Sequence, residues 1–423
     1  MANIRPLVAS LDIGTSRVRA IVGERNEKSQ IEIIGVGDVP SMGMKNGIVV
    51  NIEACVRSIG QAIEAAEMMS GREVKTVWAG IGGSHIEGIN SRGVVAITGR
   101  NGESRGEINE TDMARVIEAA QAVVIPMDKQ RLEVIPQTYI VDNQRDIREP
   151  IDMLGTRLEA EVHIITCSIT SAQNLIKCVN RAGFPVNDLV LQILAAGRAV
   201  LTSEEKETGV ALIDMGGGTT EMMVYTQGAP YSTYTVPLGG FDVTNDITYG
   251  LKIAFDTAED LKKKAGCCWD ELIEDGASVD VPGMGGRPPM SVSVAHLYQI
   301  ILPRMEEILG MARDKLVKLS QSITRPLGGG IVLTGGGAQM PGIVELASEV
   351  FGMPVRVGSP LAIGGLESEY RRPEFAAAVG LVIEGNEREI GTASKQSPEG
   401  KKIEDGRPGF WSRLGNWIKG EMF

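Results

Sequence analysis

Two stretches set about two hundred residues apart share one layout, and this repetition limits the fold more than any other feature. VASLDIGTSRVRAIVGE (8–24) and GVALIDMGGGTTEMMVYTQG (209–228) each run from an apolar strand into a turn of small residues, then into a second strand. Asp12 and Asp214 fall at equivalent places, at the end of the first strand of each copy. Self-similarity at this offset reads as two related domains. Glycine turns follow strand-like runs in both halves as well, WAGIGGSH (78–85) and VLTGGGAQMPG (332–342). The second leads into a helical stretch, IVELASEVFG, and a strand, PVRVG. Amphipathic helices such as IEACVRSIGQAIEAAEMMSG (52–71) lie between, with apolar residues at three- and four-residue steps. Strands mixed with helices in duplicated halves predict an α/β protein of two related lobes.

The texture changes twice. Over 84–162, strand-like HIEGINSRGVVAI precedes a helix, NETDMARVIEAAQAVV, which predicts an inserted small α+β unit. Residues 385–408, GNEREIGTASKQSPEGKKIEDGRP, carry almost no large apolar side chains, so a flexible linker is expected there. After it comes GFWSRLGNWIKGEMF (409–423), with two of the four tryptophans and two of the seven phenylalanines.

Composition excludes several function classes. No run of eighteen apolar residues predicts a membrane-spanning helix, and MANIRPLVASLDIG has no signal-peptide layout. Five cysteines without CxxC spacing argue for a reducing cytoplasm and against a zinc site. Three scattered histidines, His85, His163 and His296, give little support to Cys-His or Ser-His-Asp catalysis. A net charge of −12 argues against nucleic acid and would repel an anionic membrane. The tail from 401 differs at +2, which leaves −14 on the remainder.

A single glycine-rich turn is often only a tight turn; the pair carries more weight. Both copies place unobstructed backbone N–H groups where a phosphate chain can sit between them. Each adds an aspartate suited to orient a hydrated magnesium ion. The third turn, TGGGAQMPG, begins a helix and can pass under an adenosine without side-chain interference.

These two phosphate turns and VLTGGGAQMPG resemble the nucleotide clamp of the actin/Hsp70/sugar-kinase superfamily. The order of GGSHIEGINSRGVV, the inserted unit, VPGMGGRPP, VLTGGGAQMPG and the tail FWSRLGNWIK is similar, over essentially the whole chain, to the FtsA family of actin-like bacterial division proteins. MreB, Hsp70 and the sugar kinases lack this combination of insert and tail. The resemblance implies an α/β, actin-like two-lobed fold with an inserted small α+β subdomain and a C-terminal amphipathic helix. It divides the chain into lobe 1 (1–83 and 163–200), the insert (84–162), lobe 2 (201–245 and 325–384), a small subdomain (246–324), the linker (385–408) and the tail helix (409–423).

Carried over residue by residue, the resemblance implies ATP with Mg²⁺. Asp12, Gly14, Thr15 and Ser16 form the first phosphate turn, and Asp214, Gly216, Gly217, Gly218, Thr219 and Thr220 the second. Asp12 and Asp214 would meet the metal through water. Gly335, Gly336 and Gly337 lie under the adenosine. TAEDLKKKAG nominates Glu259 and Lys262 for base and ribose, against a solvated helix face. Gln192, in LVLQILAAGRAV, is either a residue that orients the attacking water or a core-edge glutamine. A glutamine cannot take up a proton as a carboxylate does, so hydrolysis is expected to be slow at best, with nucleotide acting as an assembly ligand.

The implied partners are further copies of the chain in filaments, the C-terminal peptide of FtsZ, later membrane proteins of the divisome, and a lipid surface. On HLYQIILPRMEEILGMARDKL (296–316), Arg304 would take a carboxylate of the acidic FtsZ peptide and Glu307 a basic group, against an ordinary solvated face. Arg287, in GGRPP, is a further candidate. In the tail Phe410, Trp411, Leu414, Trp417, Ile418 and Met422 share one arc, with Arg413 at its border and Lys419 opposite. This is the pattern of a helix lying in a membrane interface, against a helix docked on the protein body. Each basic residue near an anionic leaflet is worth roughly 1 kcal/mol and each buried large apolar side chain about 1.5–3 kcal/mol. Ordering costs about 1 kcal/mol or more per residue, so one tail binds weakly and many tails together bind durably. The expected location is the cytoplasmic face of the bacterial inner membrane at the division site. Two rivals remain: a pilus-assembly actin homologue of the PilM type, against which the apolar tail argues, and a small-molecule kinase, for which no motif nominates a carboxylate base.

Overall fold

The computed structural model describes residues 5–99, 105–283, 288–321, 326–361, 363–365 and 367–396, the last five of these by backbone only. Arg287 and the tail residues Phe410, Trp411, Arg413, Leu414, Trp417, Ile418 and Lys419 lie outside them.

The duplicated motif builds two sheets of matching order. In lobe 1 the order is Ile31–Pro40, Arg17–Arg25, Leu7–Ile13, Val77–Ile81, Val186–Leu191. In lobe 2 it is Ala229–Val236, Thr220–Thr226, Val210–Met215, Ile331–Thr334, Val355–Val357. Both start as an antiparallel meander and finish in parallel strands reached through crossovers. The first strand is central in both sheets and buried on both faces, which explains its unbroken apolar run.

Helix Ile52–Ser70 shows how local signals set these elements. Asn51 accepts the Ala54 N–H at its start, Gly71 ends it in the left-handed region, and Ala54, Cys55, Ile59, Ala62, Ile63 and Ala66 face the core. One core joins the lobe 1 sheet to helices Gln192–Val200 and Ala376–Gln396; a second joins the lobe 2 sheet to helices Gly240–Leu251, Phe255–Ala265 and Val294–Ser320.

A third core belongs to a four-stranded antiparallel sheet, Gln144–Ile147, Lys129–Val141, Arg157–Ser168 and Glu87–Ala96, with helix Glu110–Ala120 packed on it. Strand Arg157–Ser168 crosses the boundary expected at 162 and feeds without a break into helix Ile169–Arg181. The insert also touches lobe 2. His163 meets the Thr233 hydroxyl at 2.9 Å and Asn90 at 2.6 Å, and Gln137 donates to the Pro230 carbonyl at 3.0 Å. Burial pushes His163 down to about 4, so it is neutral in this seam, in keeping with a structural histidine.

The linker expected from residue 385 needs correction. Helix Ala376–Gln396 continues well into it. Arg25 Nε donates to Asn386 Oδ1 at 2.6 Å and pairs with Glu389 at 3.0 Å. Arg388 joins Glu384 at 2.8 Å, Asp188 at 3.0 Å and the buried Glu133 of the insert. Ion pairs hold this stretch, so its lack of apolar residues misreads it. The five cysteines are buried free thiols. Among the described residues no helix is long and apolar enough to cross a membrane.

Candidate functional site

The cleft between the lobes holds a cavity of about 640 Å³. Asp12, Gly14, Thr15 and Ser16, Asp214 and Gly216 to Thr220, Gly335 to Gly337, Glu259, Lys262 and Gln192 all line it. Residues drawn from five separate stretches of sequence therefore meet in one place. The two turns face each other closely: a Cβ placed on Gly217 would lie 2.8 Å from the Ser16 Cβ. Each turn closes on itself, Gly14 N–H donating to the Arg17 carbonyl at 3.0 Å and Gly216 N–H to the Thr219 carbonyl at 2.9 Å.

Gly335 has φ +81°, and a Cβ there would overlap Asp214 Oδ1 and press on the Met215 backbone. Only glycine combines that dihedral with that contact. The short turn Gly336–Gln339 and helix Ile343–Phe351 follow at once.

The cleft floor is acidic. Burial first, then the Asp12 charge, pushes the Asp214 carboxyl up to about 7; burial raises Asp12 too, against the opposing pull of Arg19. Two neighbouring carboxyls that resist ionisation together, Asp12 buried and Asp214 half-buried, suit a cation beside them. No group of three or more His, Cys, Asp or Glu arranged to hold a metal exists among the described residues. Asp12 and Asp214 are oxygen donors of the kind that could hold a hydrated hard cation.

Gln192 opens helix Gln192–Val200, and its Nε2 donates to Asp12 Oδ1 at 2.5 Å. Its amide is thus fixed in the cleft and not free at the edge of the core. Lys262 donates to Glu259 Oε2 at 2.7 Å, to Thr244 Oγ1 at 2.8 Å and to the Gly240 carbonyl at 2.9 Å. Burial alone would raise Glu259, but Lys262 and the hydroxyl of Thr244 outweigh it and hold the carboxyl below its ordinary range. The pair is an ordered wall of the cavity, which a solvated helix face would not be.

Of the cleft residues that the sequence did not nominate, two stand out. Glu221 sits on strand Thr220–Thr226, buried, and its Oε1 accepts the Gly83 N–H at 2.6 Å. Burial, then the Asp214 charge, pushes it up to about 8. A Cβ on Gly82 would overlap both Gln192 Oε1 and Glu221 Oε1, so these oxygens crowd one point at the root of the insert. The cleft thus holds a carboxyl group that no motif nominated; the TTE ending of the second turn was the available signal. Arg19, directly opposite Asp12 in the strand pair, is the other.

Arg304 and Glu307 do not stand open. Arg304 grips Asp246 through Nε at 2.7 Å and Nη2 at 3.1 Å, and its Nη1 reaches Glu307 at 2.5 Å. A peptide would have to compete with this cluster.

Two lobes built on one repeated sheet, with paired turns facing each other across a cleft, define an actin-like protein. The PilM–PilN type IV pilus biogenesis complex matches the fold with TM-score 0.63 at 18% identity, covering 90% of this chain and 99% of that one. MreB5 of Spiroplasma citri bound to ADP matches with TM-score 0.52 at 16% identity, covering 93% and 99%. Sequence is more specific. Residues 211–380 match the family described as Cell division protein FtsA, and residues 83–166 match the SHS2 domain inserted in FTSA. The FtsA of Borreliella burgdorferi is 45% identical over 421 residues, 99% of this chain and 100% of that protein. The FtsA of Pseudomonas aeruginosa is 41% identical over 417 residues, 98% of each. The chain belongs to the FtsA family: it is an actin-like cell division protein.

Proposed function

We propose that the protein binds ATP with Mg²⁺ between its lobes, assembles with further copies of itself, and tethers FtsZ to the cytoplasmic membrane while recruiting later divisome proteins. The observation that carries the nucleotide reading is the convergence of both phosphate turns, the Gly335 turn and the Glu259–Lys262 pair on one cavity. The N–H groups of the two turns would hold the phosphates, Asp12 and Asp214 the hydrated metal, and Lys262 with Glu259 the ribose side. The metal, when bound, supplies neutralisation of phosphate charge. Gln192, whose amide donates to Asp12, would orient a water but cannot accept its proton, so nucleotide serves chiefly as an assembly ligand.

Membrane attachment rests on the tail from 409, whose tryptophans and modest net charge call for apolar insertion by many copies together. The FtsZ contact rests on Arg304 and Glu307, with Arg287 as a further candidate on the same subdomain. Calorimetry with ATP, followed by pelleting on anionic vesicles with and without ATP and an FtsZ C-terminal peptide, tests the whole reading. Co-pelleting of peptide that requires both protein and vesicles is expected. Peptide that stays in solution while the protein pellets would remove the tethering role.

A further inference from the structure

The cleft contains several cations, and nearly all of them are already engaged. Lys262 spends its donors on Glu259, Thr244 and Gly240. Arg17 bonds Asp38 through Nε at 2.8 Å and its carbonyl through Nη2 at 3.0 Å. Arg372 donates from Nε to the Glu369 carbonyl at 2.8 Å and pairs with Glu374 at 3.1 Å.

Arg19 differs. Its side chain is only 11% exposed, yet its Nε has no hydrogen-bond partner. Asp38 forms an ion pair with that nitrogen at 3.3 Å but no hydrogen bond, and the same Oδ1 accepts from Arg17 Nε. The other neighbouring acid, Asp12, accepts from Gln192. The Arg19 guanidinium lies over the Phe375 ring, 4.7 Å from its centre. A buried donor left unsatisfied is costly, so such an arrangement persists where an acceptor arrives from outside.

We infer that Arg19 is the phosphate-binding cation of the cleft, and that it sets the preference for phosphorylated over unphosphorylated adenosine ligands. Three observations meet here. Arg19 faces Asp12 across the strand pair that carries the first phosphate turn. It lines the same cavity as both turns. Its planar fork matches two phosphate oxygens at once, which a lysine ammonium does not. The inference rests on the nucleotide reading above.

The test is calorimetric titration of the full chain in Mg²⁺ buffer with ATP, ADP and adenosine. Arg19→Gln should weaken ATP and ADP each by about 10- to 100-fold, the range of a lost charge-assisted pair, and leave adenosine within about twofold. Arg19→Lys should restore part of the loss. ATP binding by Arg19→Gln at wild-type affinity refutes the assignment while leaving the nucleotide reading intact. A parallel loss of adenosine affinity also refutes it, because the residue would then be holding the cleft together. Should Arg19→Gln fail to fold, Arg19→Lys decides: partial loss of ATP with unchanged adenosine supports the assignment, and either unchanged ATP or parallel loss overturns it. Wild-type protein that binds none of the three ligands overturns the nucleotide reading and this inference together.

Discussion

Replacing Glu221 by glutamine removes one titrating proton from the cleft floor while keeping an oxygen to accept the Gly83 N–H. The carboxyl is pushed from its ordinary 4.5 up to about 8 in the folded chain, burial being the larger cause and Asp214 the next. A folded-state value above the unfolded one means that the folded chain holds the proton more tightly. Stability from this group is therefore complete below about pH 4.5 and is lost as pH rises through about 8. Each pKa unit of difference carries about 1.4 kcal/mol, so the wild type should lose about 2 kcal/mol relative to Glu221→Gln between pH 6 and pH 8. For a lobe-sized unit that widens the gap in Tm by about 4–8 °C. Thermal melts of both proteins at pH 6, 7 and 8, without nucleotide and with the metal chelated, give the comparison. Parallel curves at all three pH values would show that Glu221 is ionised throughout, and that its burial in the cleft floor is not what the structure indicates.

Other perturbations reach other parts of the structure. Gly335→Val forces a side chain onto Asp214 at a left-handed dihedral; it should abolish measurable ATP binding and destabilise lobe 2 by roughly 1–3 kcal/mol, read by calorimetry and melting. Arg304→Glu sets a third carboxylate beside Asp246 and Glu307, and it should weaken FtsZ-peptide binding about tenfold or more with ATP affinity unchanged; equal peptide affinity removes Arg304 from that surface. Ending the chain after residue 408 should leave Tm and ATP binding intact and abolish vesicle pelleting. Ending it after residue 384 strips Asn386, Arg388 and Glu389 from their partners and should cost at least about 3 kcal/mol, seen as a lower Tm.

The sequence by itself determined the duplicated strand–turn–strand units, the helices and the inserted α+β unit. Their signals are local: unbroken apolar strands, apolar residues at helical steps, small residues at turns. It also nominated both phosphate turns and the third glycine turn of the cleft, because phosphate turns need glycine and small side chains at adjacent positions. Tertiary structure alone decided what depends on distant partners. Glu221 and Arg19 look like ordinary strand residues until two sheets face each other across the cavity. Arg304 reads as a free charge until helix Gly240–Leu251 brings Asp246 against it. The stretch after residue 385 reads as a linker because helix formation there draws on ion pairs, with Arg25 lying 361 residues from Asn386. An apolar pattern announces its own burial. A charge reveals its role only when the fold supplies its counter-charge or leaves it without one.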